Sequence, residues 1–289
     1  MAAGASYDAL LRDTAVALTA AGIDNVRFEA RLLLSHAAGL SIEQLIARGP
    51  DPAPAAVTAT LRDLTARRVR REPMAYILGE REFWGLPFKV SAAVLVPRPD
   101  SETLIETVLA LFPDRGRPLR IADLGLGSGC LLLTLLREYP QAVGVGIDAS
   151  PEALEMARVN AGALGVASRA RLEAGDWREA GWAERLGGPF DLLVSNPPYI
   201  ESATVDGLMP EVARYEPRLA LDGGDDGLAA YRIIAREAPR LVVPGGWAVV
   251  EGGEGQAADI AALFAAVGFT PGPPRQDLGG VDRVVSAQH

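Results

Sequence analysis

Apolar positions in the first seventy residues recur every three or four, the spacing of one face of a helix. Ala9-Leu10-Leu11 with Val16 and Leu18 forms one stripe, and Phe28 with Leu32-Leu33-Leu34 a second. Ser41-Ile42-Glu43-Gln44 reads as a capping box, a serine N-cap with glutamine three residues on. Asp51-Pro52-Ala53-Pro54 breaks the pattern, and a further helix is predicted from Ala55 to about Arg71, stopped by Glu72-Pro73. Residues 74–96 read as a pair of short strands with Gly85-Leu86-Pro87 as their turn. From about residue 97, short apolar runs alternate with helical stretches. That alternation predicts an α/β unit, a mostly parallel sheet with helices on both faces. Strands are expected at Leu119–Asp123, Ala142–Ile147, Arg171–Ala174, Phe190–Ser195, Trp247–Val250 and Arg283–Ser286. Helices are expected from about Cys130 to Leu136, near Leu228–Leu241 and across Gln256–Val267. The divisions are a helical domain at 1–73, a β-hairpin linker at 74–96 and an α/β domain at 97–289.

Composition narrows the function. With 289 residues and 49% hydrophobic content the chain can fill two cores. The opening Met1–Asp8 lacks the basic patch and apolar core of a signal peptide, and no apolar run approaches the ~18–20 residues that span a bilayer. Cys130 is the only cysteine, and His36 and His289 are the only histidines. A disulfide framework and a Cys/His metal site are therefore excluded, and a cytoplasmic protein without a structural metal is expected. A net charge of −9 argues against a nucleic-acid surface, whose affinity comes from clustered Lys and Arg. The most basic stretch, Arg62 to Arg71, reads as the solvated face of a helix.

Two segments carry chemistry. Leu124-Gly125-Leu126-Gly127-Ser128-Gly129 joins a predicted strand to a predicted helix, and its glycines let a ligand approach the helix N-terminus. The next strand ends at Asp148, 19 residues after Gly129, close to the spacing at which an acid takes ribose hydroxyls. The glycines depart from the dinucleotide pattern G-x-G-x-x-G, and Lys89 is the only lysine, so no phosphate-binding lysine is present. A nucleoside cofactor without phosphates fits, and S-adenosylmethionine is the leading candidate. The second segment, Asn196-Pro197-Pro198-Tyr199, follows a buried strand. Two prolines cannot continue a sheet, so the backbone leaves it rigidly at the strand's carboxyl end. A primary amide, free carbonyls and an aromatic ring suit a planar NH2 group. Cys130 reads as a small apolar side chain, and Asp123 as a cap on the glycine turn.

With these motifs placed, the chain resembles the class I S-adenosylmethionine-dependent methyltransferases, and more narrowly the PrmC/HemK family, the protein-glutamine methyltransferases of peptide chain release factors. The likeness extends to Arg81-Glu82-Phe83-Trp84-Gly85, Val96-Pro97-Arg98-Pro99-Asp100-Ser101-Glu102-Thr103, Asp176-Trp177, Tyr215-Glu216-Pro217 and Leu221–Leu228. It implies a Rossmann-like fold with an antiparallel last strand, behind a small N-terminal helical domain that docks the substrate. It also implies that Gly125, Leu126, Gly127, Ser128, Gly129, Asp148, Asp176, Trp177 and Asn196 bind the cofactor. Asn196, Pro197, Pro198 and Tyr199 would hold the substrate amide, with Asn196, Pro197 and Tyr199 as the catalytic set. The implied partner is a class 1 release factor, methylated at the glutamine of its Gly-Gly-Gln motif by a monomer that touches neither nucleic acid nor membrane. Arg98 and Glu102 are either an i,i+4 surface pair or part of a segment closing the cofactor pocket.

Two departures stand out: Leu126 replaces a usually small residue, often Thr, and Gly252-Gly253 follows Glu251 where a larger residue is usual. A ribosomal-protein glutamine methyltransferase, a DNA adenine methyltransferase with the same Asn-Pro-Pro-Tyr geometry, and a non-catalytic cofactor-binding module are the alternatives. The Arg98–Glu102 pattern fits the release-factor branch better than the ribosomal one.

Overall fold

The computed structural model describes residues 4–289, so Met1-Ala2-Ala3 of the opening segment lie outside the described residues. The chain forms two compact units. One runs up to Gly79 and includes Met209–Tyr215; the other comprises Glu80–Leu208 and Glu216–His289.

The first unit is helical: α1 (Tyr7–Ala20), α2 (Val26–Ala38), α3 (Ile42–Ala47), α4 (Ala55–Val69) and α5 (Met74–Leu78). Leu10, Leu18, Leu33, Leu34, Leu61 and Leu64 meet in one core with Tyr7, Leu45 and Ile77. Val16 and Phe28 do not join them and stay 69% and 56% exposed. The α1 stripe runs through residues 7, 10, 14 and 18, and position 16 lies most of a half-turn away from it. The capping box forms as read, with Ser41 and Gln44 exchanging side-chain-to-backbone hydrogen bonds.

Two expectations need correction here. Residues 74–78 are helical, because the Pro73 carbonyl accepts the Tyr76 and Ile77 N–H groups and the turn buries Ala75, Tyr76 and Ile77. Gly79 then stops the helix at φ 72°. The basic stretch is also only partly solvated. Arg68 is buried, donating to Glu29 Oε2 at 2.7 Å and to Glu211 Oε1 at 2.9 Å. Arg71 donates to Glu211 Oε2 at 2.9 Å and to the Gly22 carbonyl at 2.7 Å, and Arg67 pairs with Glu72. Glu211 lies 143 residues further along the sequence from Arg68, which no local charge pattern reveals. It lies on a short helix, Pro210–Tyr215, whose Tyr215 hydroxyl also donates to the Arg70 carbonyl.

The second unit begins with an antiparallel hairpin, β1 (Glu80–Phe83) and β2 (Leu86–Lys89). Its turn is Trp84-Gly85, both at positive φ (55° and 68°), as a tight two-residue hairpin requires, so Leu86 and Pro87 belong to the strand. The main sheet contains β3 (Arg120–Leu124), β4 (Val143–Asp148), β5 (Ala170–Ala174), β6 (Phe190–Ser195), β7 (Val242–Glu251), β8 (Thr270–Pro271), β9 (Arg275–Gln276) and β10 (Asp282–Gln288). Its order is β5-β4-β3-β6-β7-β10-β8, with β9 also on β10. Strands β3 to β7 are parallel, and β10 runs antiparallel to β7.

Neighbouring residues on these strands belong to opposite cores, as a period of two demands. Ile121, Leu192, Val194 and Val249 pack under α6 (Glu102–Leu111), α7 (Cys130–Glu138) and α8 (Pro151–Ala163). Ala122, Leu193, Ala248 and Val250 pack under α9 (Trp182–Arg185), α11 (Ala229–Leu241) and α12 (Ala257–Ala265), α10 being Pro210–Tyr215. The expected α/β architecture is therefore present. No described helix is long and apolar enough to cross a membrane.

Replacing Glu211 with alanine leaves Arg71 and one branch of buried Arg68 without their carboxylate. A loss of about 3 kcal/mol is expected, the scale for breaking a buried pair from one side, seen as a lower urea midpoint. An unchanged midpoint would mean that the cluster does not stabilise the helical unit.

Candidate active site

The order of the sheet reverses between β3 and β6, since β4 and β5 lie to one side and β7 to the other. A ligand crevice forms at the carboxyl ends of strands around such a point. Register brings those ends level: Leu124 pairs with Ile147 and Ser195, Ser195 with Val250, and Asp148 with Ala174. The glycine loop, Asp148, Asp176-Trp177, Asn196 and Glu251 thus all leave the sheet at one edge. A cavity of about 350 Å³ opens there, and its wall includes Gly125, Leu126, Gly127, Ser128, Asp148, Asp176, Trp177, Asn196 and Pro198. Gly129, Pro197 and Tyr199 are not on that wall. Gly129 turns the chain into α7 at φ 81°. Tyr199 packs against the α11–α12 core, with its hydroxyl 3.4 Å from Glu251 Oε1 and its carbonyl accepting from Gln256 Nε2 at 3.0 Å.

The glycine loop is fixed by backbone bonds. Gly125 and Leu126 N–H both donate to the Ile147 carbonyl, and Gly127 N–H donates to Asp148 Oδ2 at 2.8 Å. A side chain at Gly125 would meet the Trp177 ring at 3.0 Å, whereas one at Gly127 would meet nothing within 4 Å. Leu126 is buried, its methyl groups lying where a side chain on Gly146 would be, 2.6 Å from the nearest. Much of the bulk of this unusual leucine is thus taken up by a glycine in β4.

Asp148 Oδ1 accepts from Ser150 N–H at 2.9 Å, while Ser150 Oγ caps α8. Burial raises the Asp148 pKa, opposed by the N–H groups of Ser150, Gly127 and Ala149. Asp176 is gripped by the Arg178 guanidinium, which holds its carboxyl below the usual range.

Asn196 donates from Nδ2 to Ser101 Oγ at 3.2 Å, and its Oδ1 is buried without a partner among the described residues. The wall beside it is tied by Arg98, whose Nη2 donates to Glu216 Oε1 at 2.6 Å. Arg98 therefore does not pair with Glu102, which accepts the Trp84 N–H at 2.9 Å. Pro99 holds Arg98 in extended backbone (φ −99°, ψ 142°), so the two residues never share a helical face. Burial pushes the Cys130 thiol up to about 12, which keeps it neutral beside the cavity. Ser101, Glu216 and Glu251 are the polar groups to which sequence reasoning gave no role. Glu251 could have been found by the same rule as Asp148, since it ends a parallel strand at the same edge.

Residues 9–79 match the PrmC N-terminal domain, and residues 100–214 match the methyltransferase small domain. The chain is 46% identical over 288 residues to the release factor glutamine methyltransferase of Bradyrhizobium diazoefficiens, covering 99% of this chain and 95% of that protein. The chain belongs to the release factor glutamine methyltransferase family. A second member, from Rhodospirillum rubrum, is 46% identical over 271 residues, 94% of this chain and 81% of that protein. Among solved structures, a methyltransferase from Pyrococcus furiosus superposes with a TM-score of 0.51 at 17% identity, covering 71% of this chain and 90% of that one. That likeness concerns the fold.

Like the rest of the family, the chain is an S-adenosylmethionine-dependent methyltransferase. The lining fits such a group. Asp148 keeps lone pairs beyond those given to Ser150 and Gly127 and can accept from ribose hydroxyls. Trp177 offers an apolar wall, and Gly127 leaves room above the loop.

Beneath the loop, Asp123 is fully buried and accepts from Leu132 N–H in the first turn of α7. Burial, with the Asp148 charge adding to it, raises its pKa to about 8 against that hydrogen bond. The unfolded carboxyl titrates near ~3.9, so between about pH 4 and pH 8 the folded state binds more protons and stability falls as pH rises. Urea unfolding of Asp123→Asn should show a shallower fall across this window. A slope equal to that of the parent would mean that Asp123 is ionised at neutral pH.

Proposed function

We propose that this chain methylates the side-chain amide nitrogen of the glutamine in the Gly-Gly-Gln motif of class 1 release factors. The observation that carries the reading is Asn196: its Nδ2 is committed to Ser101, and its Oδ1 is a buried acceptor on the cavity wall with no partner among the described residues. An unmade hydrogen bond at a buried carbonyl is costly, and a substrate N–H relieves that cost.

S-adenosylmethionine, when bound, supplies an electrophilic methyl group on a sulfonium. An amide nitrogen is a weak nucleophile because its lone pair is delocalised into the carbonyl, so the protein's task is orientation. Asn196 Oδ1 accepts one amide N–H, and the Pro197 carbonyl, which follows it just off the cavity wall, is the proposed acceptor of the other. These acceptors stabilise positive charge as it develops on nitrogen. Pro198 closes the site against water on the cavity wall, and Tyr199 backs it from the α11–α12 core, held in place by Gln256 and Glu251. The family names support a release factor as partner. The helical unit, which ends at Gly79, docks it, and the unit that begins with the hairpin at Glu80 carries the chemistry. The net charge of −9 supports a protein rather than a nucleic-acid partner, and the reaction is placed in the cytoplasm, carried out by a monomer.

Incubation with S-adenosylmethionine and unmethylated release factor, followed by tandem mass spectrometry, should place one methyl on that glutamine. Asn196→Ala should lower turnover by about 10²-fold, the scale for losing one preorganised partner of developing charge, with cofactor affinity changed only a few-fold. Collapse of that affinity would move Asn196 into the cofactor site. Calorimetry on Asp148→Ala should show cofactor binding weakened by about 1–3 kcal/mol, the worth of a charge-assisted hydrogen bond. Unchanged binding would remove Asp148 from the ribose.

A further inference from the structure

Glu251 is the last residue of β7, paired with Val284 of β10, and Val250 before it pairs with Ser195, so Glu251 ends its strand beside Asn196. Its side chain lies behind the cavity wall, 1% exposed. Oε1 faces the Tyr199 hydroxyl at 3.4 Å, and Oε2 is buried without a hydrogen-bond partner among the described residues. Ser101 Oγ accepts from Asn196 Nδ2 at 3.2 Å, and Asn196 stands level with Glu251 just beyond the Ser195–Val250 pair of adjacent strands. The Ser101 hydroxyl acts on the Glu251 carboxyl, drawing it toward its charged form.

A carboxylate can only accept hydrogen bonds, whereas a hydroxyl does both and an amide has two unlike ends. One fixed acceptor therefore sets the direction of a whole chain. An ionised Glu251 would take the hydroxyl proton of Ser101 and leave a Ser101 lone pair for Asn196. Asn196 answers with Nδ2, which leaves Oδ1 toward the substrate. We propose that Glu251 is a positioning residue: its carboxylate sets the polarity of the Ser101–Asn196 chain and holds the Tyr199 hydroxyl, so that acceptors alone face the NH2 group to be methylated. This inference rests on the reading of Asn196 given above.

The groups acting on Glu251 are Ser101 and Asp100 before α6, Tyr199 after β6, Arg283 on β10, Tyr231 on α11, and Cys130 at the start of α7. Arg283 also holds Asp277 and the Gly252 carbonyl. Burial pushes Glu251 up to about 7, against the pull of Ser101, Arg283 and Tyr199. Protonation then turns its carboxyl into a donor, and turnover falls as pH drops through that value.

The test is Glu251→Gln, equal in size but able to donate, so that the chain can reverse. We expect cofactor affinity and substrate KM to stay within about twofold, while kcat falls about tenfold, the scale of one misdirected hydrogen bond. The acid limb of the kcat profile near pH 7 should disappear. Ser101→Ala should lower kcat similarly, and the double variant should be no worse than either alone, as for members of one network. A Glu251→Gln enzyme with parental kcat and an intact acid limb overturns the proposal. If Asn196→Ala is inactive while Glu251→Gln behaves as the parent, only this inference falls. If Asn196→Ala stays active, the proposed function of Asn196 falls with it.

Discussion

The site depends on the level at which the parallel strands stop pairing. Where β4, β3, β6 and β7 end together, the ladder stops, and the loop residues beyond them must find other partners. In the glycine loop those partners are the Ile147 carbonyl and the Asp148 carboxylate. After β6 the two prolines remove N–H groups that would otherwise need acceptors, so the chain turns away from the sheet at little cost. A shift of one residue in any of these strands would reverse its faces, burying the groups that now line the cavity.

The same edge concentrates carboxyl groups in a poorly solvated place. Asp123 and Glu251 are both buried and their carboxyls are raised to about 8 and about 7; burial raises Asp148 as well, opposed by backbone N–H groups. Burial of this kind costs stability unless hydrogen bonds offset it, and the Asp123 and Glu251 carboxyls each keep one oxygen without a partner among the described residues. Asp123 ties β3 to the first turn of α7, and Glu251 stands behind the Asn196–Ser101 pair. Packing allows little adjustment here. Gly146 makes room for Leu126, and Gly144 does the same for Leu132, where a side chain would lie 2.5 Å from a methyl carbon.

The helical unit uses charge differently. Arg68 and Arg71 close on Glu211, a residue lying in sequence between Tyr199 and Glu216. The segment that leaves the Asn-Pro-Pro-Tyr turn is therefore pinned within the helical unit before it returns to line the cavity at Pro217 and Leu219.

The sequence by itself determined the succession of elements, the doubly wound class and the part of the cavity wall formed by the glycine loop, Asp148, Asp176-Trp177 and Asn196. Those features are written in local terms: hydrophobic period, glycine and proline positions, and the acid at the end of β4. It also located the capping box at Ser41, because such a motif is complete within four residues. Tertiary structure decided what depended on distant partners. Helix Met74–Leu78 replaced an expected strand because Ile77 had a core to enter. Arg68 became buried because Glu29 and Glu211 met it there, and Arg98 turned to Glu216 rather than Glu102. Glu251 acquired its place behind Asn196 only when β7 paired with β6. Periodicity and turn chemistry act over a few residues and can be read in order, but the partner of a buried charge is chosen by the fold, and its identity lies elsewhere in the chain.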